Sequence, residues 1–407
     1  MPASRHPRAI ALVTTCVLLL WLAPGAATEQ PTASALFDDT VVHDLHFEMH
    51  SGDWARLQER YLENTYYPAD LTWNGHVVRN VGLRSRGSGS RDPHKPGLKV
   101  DFNEFVKGQT FAGLKALALD NYRQDPSMLK ESLAMQLFTR AGIPAPRVSH
   151  ARVHINGRYH GLYGIIEPVD EPFLVSRFGE DEGYLYEFEW NGAYRFEWLG
   201  DDPLRYAELF APKTHDSQPP GPLFGSLVAF VRTATRASRN VWEREMARYV
   251  DFDQLFTYLA VEQFLSDHDG LAGDWGLNNF YLYRFANSER FQFIPWDKDV
   301  SFHEIDRDVY AGLDDHALFA AALERRHLRE TYQEALRRIV ASADERPTGG
   351  DGPGWLEREI ARLTALIRES AYADPSKVWS NERFDQEVAW MATFARQRGR
   401  EVVEQAR

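Results

Sequence analysis

An α+β fold in two lobes, strand-rich first and helix-rich second, follows from three features of the 407-residue sequence. Short alternating runs punctuated by Asn-Gly turns fill residues 41–190. Apolar stretches with helical spacing fill most of 223–407. A loop rich in Pro and polar residues, "APKTHDSQPPGP" (211–222), stands between them. The expected division is therefore a sheet-rich lobe over 28–210 and a helical lobe over 223–407, the latter interrupted by a hairpin at 279–297. A cleft between two such lobes is a natural ligand site.

The elements read in order as follows. Arg5 and Arg8 precede the apolar run 9–23, and small residues at Gly25 and Ala27 follow it. That pattern predicts a secretory signal peptide over 1–27, cleaved near Ala27, with no stable membrane span left after cleavage. The sole cysteine, Cys16, lies inside this run, so the mature chain has no disulfide, no thiol nucleophile and no Cys-ligated zinc. Export without cysteine points to a bacterial protein that is secreted or held in the cell envelope. The net charge is −13, and removing the two positive charges of Arg5 and Arg8 takes it to −15. This argues against a general nucleic-acid binder, which would need a basic face, and permits a basic protein partner.

Strands are expected at 41–49, on both sides of Asn74-Gly75 within 71–87, at 97–102, on both sides of Asn156-Gly157 within 151–169, and at 183–190. Helices are expected at 51–61 and from Asp125-Pro126, with Asp as N-cap and Pro at the first helical position, to Gly142. Further helices follow at 223–237, 240–249 and 253–266, and after the 279–297 hairpin the chain reads as helical nearly to its end.

Three polar clusters could carry chemistry. "GLRSRGSGSRDPHKPGLKVDF" (82–102) surrounds a Gly- and Ser-rich loop with Arg84, Arg86, Arg91, Lys95 and Lys99, a composition suited to anionic phosphates, although a solvated basic hairpin has the same composition. "HGLYGIIEPVDEPFL" (160–174) ends a strand in Glu167. "SDHDGLAGDWGLNNFYLYRF" (266–285) holds Asp267, Asp269, Asp274, Asn278 and Asn279, and leads into "FQFIPWDKDVSF" (291–302), where Asp297 and Asp299 end a strand with only Lys298 between them. Paired carboxylates of this kind serve either as a turn or as ligands for a hard divalent cation. The histidines His43, His46 and His50 have no zinc-motif spacing.

Taken in order, "LRSRGSGSRDPHKPGLKVDF", "NGRYHGLYGIIEPVD", "DHDGLAGDWGLNNFYLY" and "FQFIPWDKDVSF" resemble the spore-coat protein H (CotH) kinase family across about residues 80–302. The resemblance implies an atypical, secreted, protein-kinase-like fold that binds ATP with Mg²⁺ (or Mn²⁺) and phosphorylates Ser or Thr of a protein substrate. Carried over, it makes Asp297 and Asn279 metal ligands with Asp299 in support. Lys95 or Lys99 would reach the ATP phosphates, assisted by Arg84 and Arg86, and Glu167 matches an acidic residue of the nucleotide site. The catalytic aspartate is Asp269, at the family's Asp-Gly position, or alternatively Asp274, five residues before Asn279. No G-x-G-x-x-G loop is present. Two other readings stand beside this one: a metal-dependent glycosyltransferase-like nucleotide enzyme, and a non-catalytic surface or envelope scaffold or adhesin.

Overall fold

The computed structural model describes Met1, residues 30–347, residue 350 and residues 352–407. Apart from Met1, the expected signal segment with Cys16 lies outside the described residues. Following the short helix α1 (Ala33–Leu36), β1 (Val42–Met49), α2 (Ser51–Glu59), β2 (Tyr67–Trp73), β3 (His76–Arg86), β4 (Gly97–Asp101) and β5 (Ala116–Asp120) come in sequence. They are followed by α3 (Lys130–Arg140), β6 (Val148–Ile155), β7 (Arg158–Ile166) and α4 (Glu171–Phe178). The seven strands close into a barrel in the order β1-β2-β3-β4-β5-β7-β6, antiparallel except where β1 runs parallel to β6. Alternation drives closure: Leu45, Phe47, Leu83, Leu98, Val100 and Val153 turn inward and are fully buried, while their neighbours face out.

The expected hairpins are present for the expected reason. Asn74 and Gly75 have φ of 48° and 78°, and Asn156 and Gly157 have 50° and 74°, the left-handed pair that a tight two-residue turn needs. Helix α3 begins later than Pro126. The Asp125 carboxylate accepts from the backbone N–H groups of Ser127, Leu129 and Lys130, so it caps an extra turn, with Met128 at φ 59°, before the helix proper. β5 was not expected from the sequence.

The division of the lobes differs from the expectation near 210. β8 (Tyr184–Phe188) and β9 (Phe210–Pro212) do not join the barrel. They pair with β10 (Phe280–Arg284) and β11 (Phe291–Pro295) in a second sheet, ordered β11-β10-β8-β9. The expected 279–297 hairpin is thus the edge half of a four-stranded sheet whose other half comes from residues assigned to the first lobe. Helices α5 (Pro220–Arg236), α6 (Trp242–Met246) and α7 (Phe252–Leu265) precede the hairpin. Residues 296–316 are irregular, not helical as expected, and α8 (Ala317–Leu323), α9 (Arg326–Ala343), α10 (Trp355–Ala373) and α11 (Asn381–Gln405) follow. Every residue of α7 from Leu255 to Leu265 is buried, which makes it the central helix of this region. Among the described residues no helix is long and apolar enough to cross a membrane.

Candidate active-site cleft

The β10–β11 hairpin brings its two ends together. Phe280 pairs with Pro295, and the Trp296 N–H donates to the Asn279 carbonyl at 3.2 Å, so Asn279 and Asp297 flank the same end of the ribbon. Both have left-handed backbones, with φ of 56° and 50°. Asn and Asp tolerate that region better than other side chains, and strained positions of this kind gather at functional sites.

Asp269 meets the same ribbon end. Its two carboxylate oxygens accept from Asn278 Nδ2 and Asn279 Nδ2, each at 3.0 Å. The Gly that follows it is required: a Cβ on Gly270 would lie 2.7 Å from Asp267 Oδ2 and from Glu262 Oε1. Asp274, the alternative, faces elsewhere. It takes Arg307 Nη2 at 2.6 Å and His268 Nδ1 at 2.7 Å. Beside Asp269 opens a cavity of about 790 Å³ whose walls include Trp275, Phe302, Trp379 and Trp390.

Lys298 explains how two aspartates sit so close in sequence. Its side chain is fully buried and runs back to the end of α7, meeting Glu262 Oε1 at 2.6 Å and Asp267 Oδ2 at 3.1 Å. Those two carboxylates lift its pKa well above the ordinary lysine range despite its burial. With Lys298 anchored inward, Asp297 and Asp299 are left among acids. Burial raises Asp297, against the pull of Arg86 and Lys298. Burial, with Asp297 and Asp120 next, raises Asp299 well above the usual carboxylate range. Two further carboxylates, which the sequence reading missed, join them: Asp120 at the end of β5 and Glu131 in the first turn of α3. Burial, then Asp297, pushes Asp120 up to about 6. Burial also raises Glu131, again with Asp297 next. Asp120 ends an apolar run, "ALALD", as Asp297 ends "FIPWD", and that parallel was the available signal.

The predicted basic residues divide. Arg86 lies in the cleft, its guanidinium 5.7 Å from the Trp296 ring centre, where it opposes the charges of Asp120 and Asp297. Arg84 instead bonds Asn64 Oδ1 at 2.9 Å and lies over Tyr66. Lys99 is half-exposed, 3.7 Å from Asp101. Lys95 is buried and paired with Asp374 at 2.6 Å, so its ammonium is already engaged and not presented to a ligand. The Glu167 carboxylate is likewise engaged, by Arg147 at 2.6 and 3.0 Å and by Arg177 at 2.7 Å. Each has a structural partner where a nucleotide contact was expected. On the barrel wall, His46 stacks on His154 at 4.4 Å beside Asp44, but Arg152 already grips that carboxylate with two nitrogens.

The carboxylates that influence Asp297 and one another, Asp120, Glu131 and Asp299, offer only oxygen, with Asn279 adjoining, although among the described residues the three that already bring ligand atoms within 4.8 Å of one another are Asp44, His46 and His154 on the barrel wall. Hard divalent cations, Mg²⁺ or Mn²⁺, suit the all-oxygen set of the cleft, and a buried group of carboxylates needs positive charge to remain ionised. Because Asp120 titrates higher in the folded than in the unfolded chain, the folded state holds the extra proton. Its contribution is favourable below about 4 and lost as pH rises through about 6. Cation-free Asp120→Asn should therefore melt higher than wild type, by a gap that widens from pH 4 to pH 6.5. A gap independent of pH would contradict the assignment.

The CotH kinase protein family model matches residues 83–402. The chain is 24% identical over 359 residues to inner spore coat protein H of Bacillus subtilis (strain 168), spanning 86% of this chain and 93% of that protein. It is 20% identical over 293 residues to spore coat protein homolog 1 of Rhizopus delemar, spanning 69% of this chain and 46% of that protein. The chain thus spans under half the length of this fungal relative. Among solved structures, the Helicobacter pylori proinflammatory kinase CtkA aligns with 76% of this chain and 92% of its own, at 9% identity and a TM-score of 0.30. That likeness is too slight to carry any argument.

Proposed function

The chain belongs to the CotH kinase family, and from that premise we propose that it is a secreted or envelope-located kinase that phosphorylates protein Ser or Thr with Mg²⁺- or Mn²⁺-bound ATP. The observation that carries the reading is the convergence of Asp269 and Asp297 through Asn279 at one end of a rigid hairpin. Phosphoryl transfer asks for little covalent chemistry from the protein and for accurate placement of charge.

Roles follow from position. Asp297, Asp299 and Asn279 would hold the cation, which would offset the negative charge that develops on the transferring phosphoryl group. Arg86, against Trp296, adds positive charge on the barrel side. Asp269 accepts the proton of the acceptor hydroxyl as that oxygen bonds the γ-phosphorus and the bond to the β-phosphate oxygen breaks, releasing ADP. Its place between two asparagine amides keeps the carboxylate oriented, and burial raises its proton affinity. The cavity walled by Trp275, Trp379 and Trp390 offers the acceptor segment a path to Asp269. Spore-coat relatives are in keeping with an extracellular or coat-associated setting.

The test is incubation of the chain with ATP, Mg²⁺ and mixed protein acceptors, read by mass spectrometry for phosphoserine and phosphothreonine. In a parallel melting assay, Mg²⁺·ATP near 100 times its Kd should add about 2.7 kcal/mol to wild type and little to Asp297→Asn. A nucleotide sugar should give no such shift. Wild-type melting unmoved by Mg²⁺·ATP would defeat the reading, and a shift confined to nucleotide sugars would favour the glycosyltransferase alternative.

A further inference from the structure

We propose that Glu131, in the first turn of α3, is itself a ligand of the cleft's divalent cation, so that a bound cation adds a further tie between α3 and the carboxylates at the hairpin end. The inference rests on the kinase reading above and adds a residue and a coupling to it.

Glu131 is only 3% exposed. One of its oxygens, Oε2, accepts the backbone N–H of Lys298, the residue between Asp297 and Asp299. The carboxylate is thereby held within one residue of both aspartates. Its other oxygen, Oε1, is buried with no hydrogen-bond partner. A buried carboxylate oxygen without a donor is costly, and the cost is greater when the groups facing it are also acids, here Asp297 and Asp120.

The lysines that could neutralise it are committed elsewhere among the described residues. Lys95 pairs with Asp374 at 2.6 Å, Lys130 with Glu387 at 2.9 Å, and Lys99 lies 3.7 Å from Asp101. Lys298 offers Glu131 its backbone but sends its ammonium to Glu262 and Asp267. Among the described residues no lysine side chain pairs with Glu131 itself; the neighbouring α3 lysine, Lys130, pairs with Glu387 instead. An oxygen-rich surrounding with an unfilled acceptor matches a hard cation, which would draw Glu131, Asp120, Asp297 and Asp299 into one arrangement.

The test uses Mn²⁺ with a non-hydrolysable ATP analogue, reading free Mn²⁺ by its electron paramagnetic resonance signal. Wild type should bind, and Glu131→Gln should bind at least about 10-fold more weakly. The amide still accepts from the Lys298 N–H, so the fold is kept, and cation-free melting curves of the two proteins check that it is. In hydrogen exchange, Mn²⁺ should slow residues 130–140 in wild type and leave them unchanged in Glu131→Gln. Equal Mn²⁺ affinity in the two proteins overturns this inference and leaves the kinase reading standing. If wild type itself takes up no Mn²⁺ with the analogue present, both fall.

Discussion

Asp269→Asn should lower the turnover number by about 10²–10⁴ while keeping most of the melting shift produced by Mg²⁺·ATP. The expectation follows from separation of tasks at the ribbon end: Asp297 and Asp299 face the acidic cluster, whereas Asp269 is held by Asn278 and Asn279 and borders the 790 Å³ cavity. The substitution has one structural cost. An amide NH₂ at 269 would meet the NH₂ of Asn278 or Asn279, so one hydrogen bond is lost unless an amide turns over, at about 1 kcal/mol. Melting curves would register that cost separately. Asp274→Asn is the control. Its carboxylate is 44% exposed but engages His268 and Arg307, the latter only 7% exposed, so its loss should lower stability while leaving turnover near wild type. If Asp274→Asn is inactive and Asp269→Asn is not, the roles exchange. If both variants work as fast as wild type, neither is the base and the proposed mechanism fails at its centre.

Features determined locally were legible in the sequence. The Asn-Gly pairs at 74–75 and 156–157 supply the left-handed backbone that only a few residue types adopt at low cost, so the two barrel hairpins could be read without tertiary knowledge. Asn279 and Asp297 lie 18 positions apart but flank one hairpin, and hairpin pairing is a short-range rule that brings them together. Features decided by distant partners were not legible. An Asp or Glu in the first turn of a helix is ordinary chemistry, so nothing marked Glu131 as buried in the cleft. The alternation of "YLYEF" is the same whichever sheet it joins, and only the pairing of β8 with β10 shows that it left the barrel. Glu167 read as a site residue because the two arginines that saturate it come from 20 residues before and 10 after, a coincidence of folding that spacing does not encode. Lys95 is the extreme case, with its partner 279 positions away.

That partner makes a second large effect predictable. Lys95→Met and Asp374→Leu should each destabilise the protein by about 3–5 kcal/mol, because each strands a buried charge. The Lys95 ammonium and Asp374 carboxylate are 2% and 0% exposed and 2.6 Å apart, and Asp374 also accepts the backbone N–H groups of Leu162, Ser376 and Lys377. It thereby ties the turn after α10 to β7 of the barrel. The fit extends to Gly161, where a Cβ would come within 2.7 Å of the Asp374 carboxylate. The double variant should cost clearly less than the sum of the two, since it leaves no lone charge. It should still fall short of wild type, since three N–H groups lose their acceptor. Urea unfolding decides the matter: the midpoint should drop in both single variants with the slope unchanged. The same measurement separates the structural role from the nucleotide role first expected of Lys95. A phosphate-binding lysine could be replaced by Met with little change in the midpoint and a large rise in the Kd for Mg²⁺·ATP. A buried tie between barrel and helices gives the reverse, a large loss of stability with nucleotide affinity retained in the fraction that remains folded.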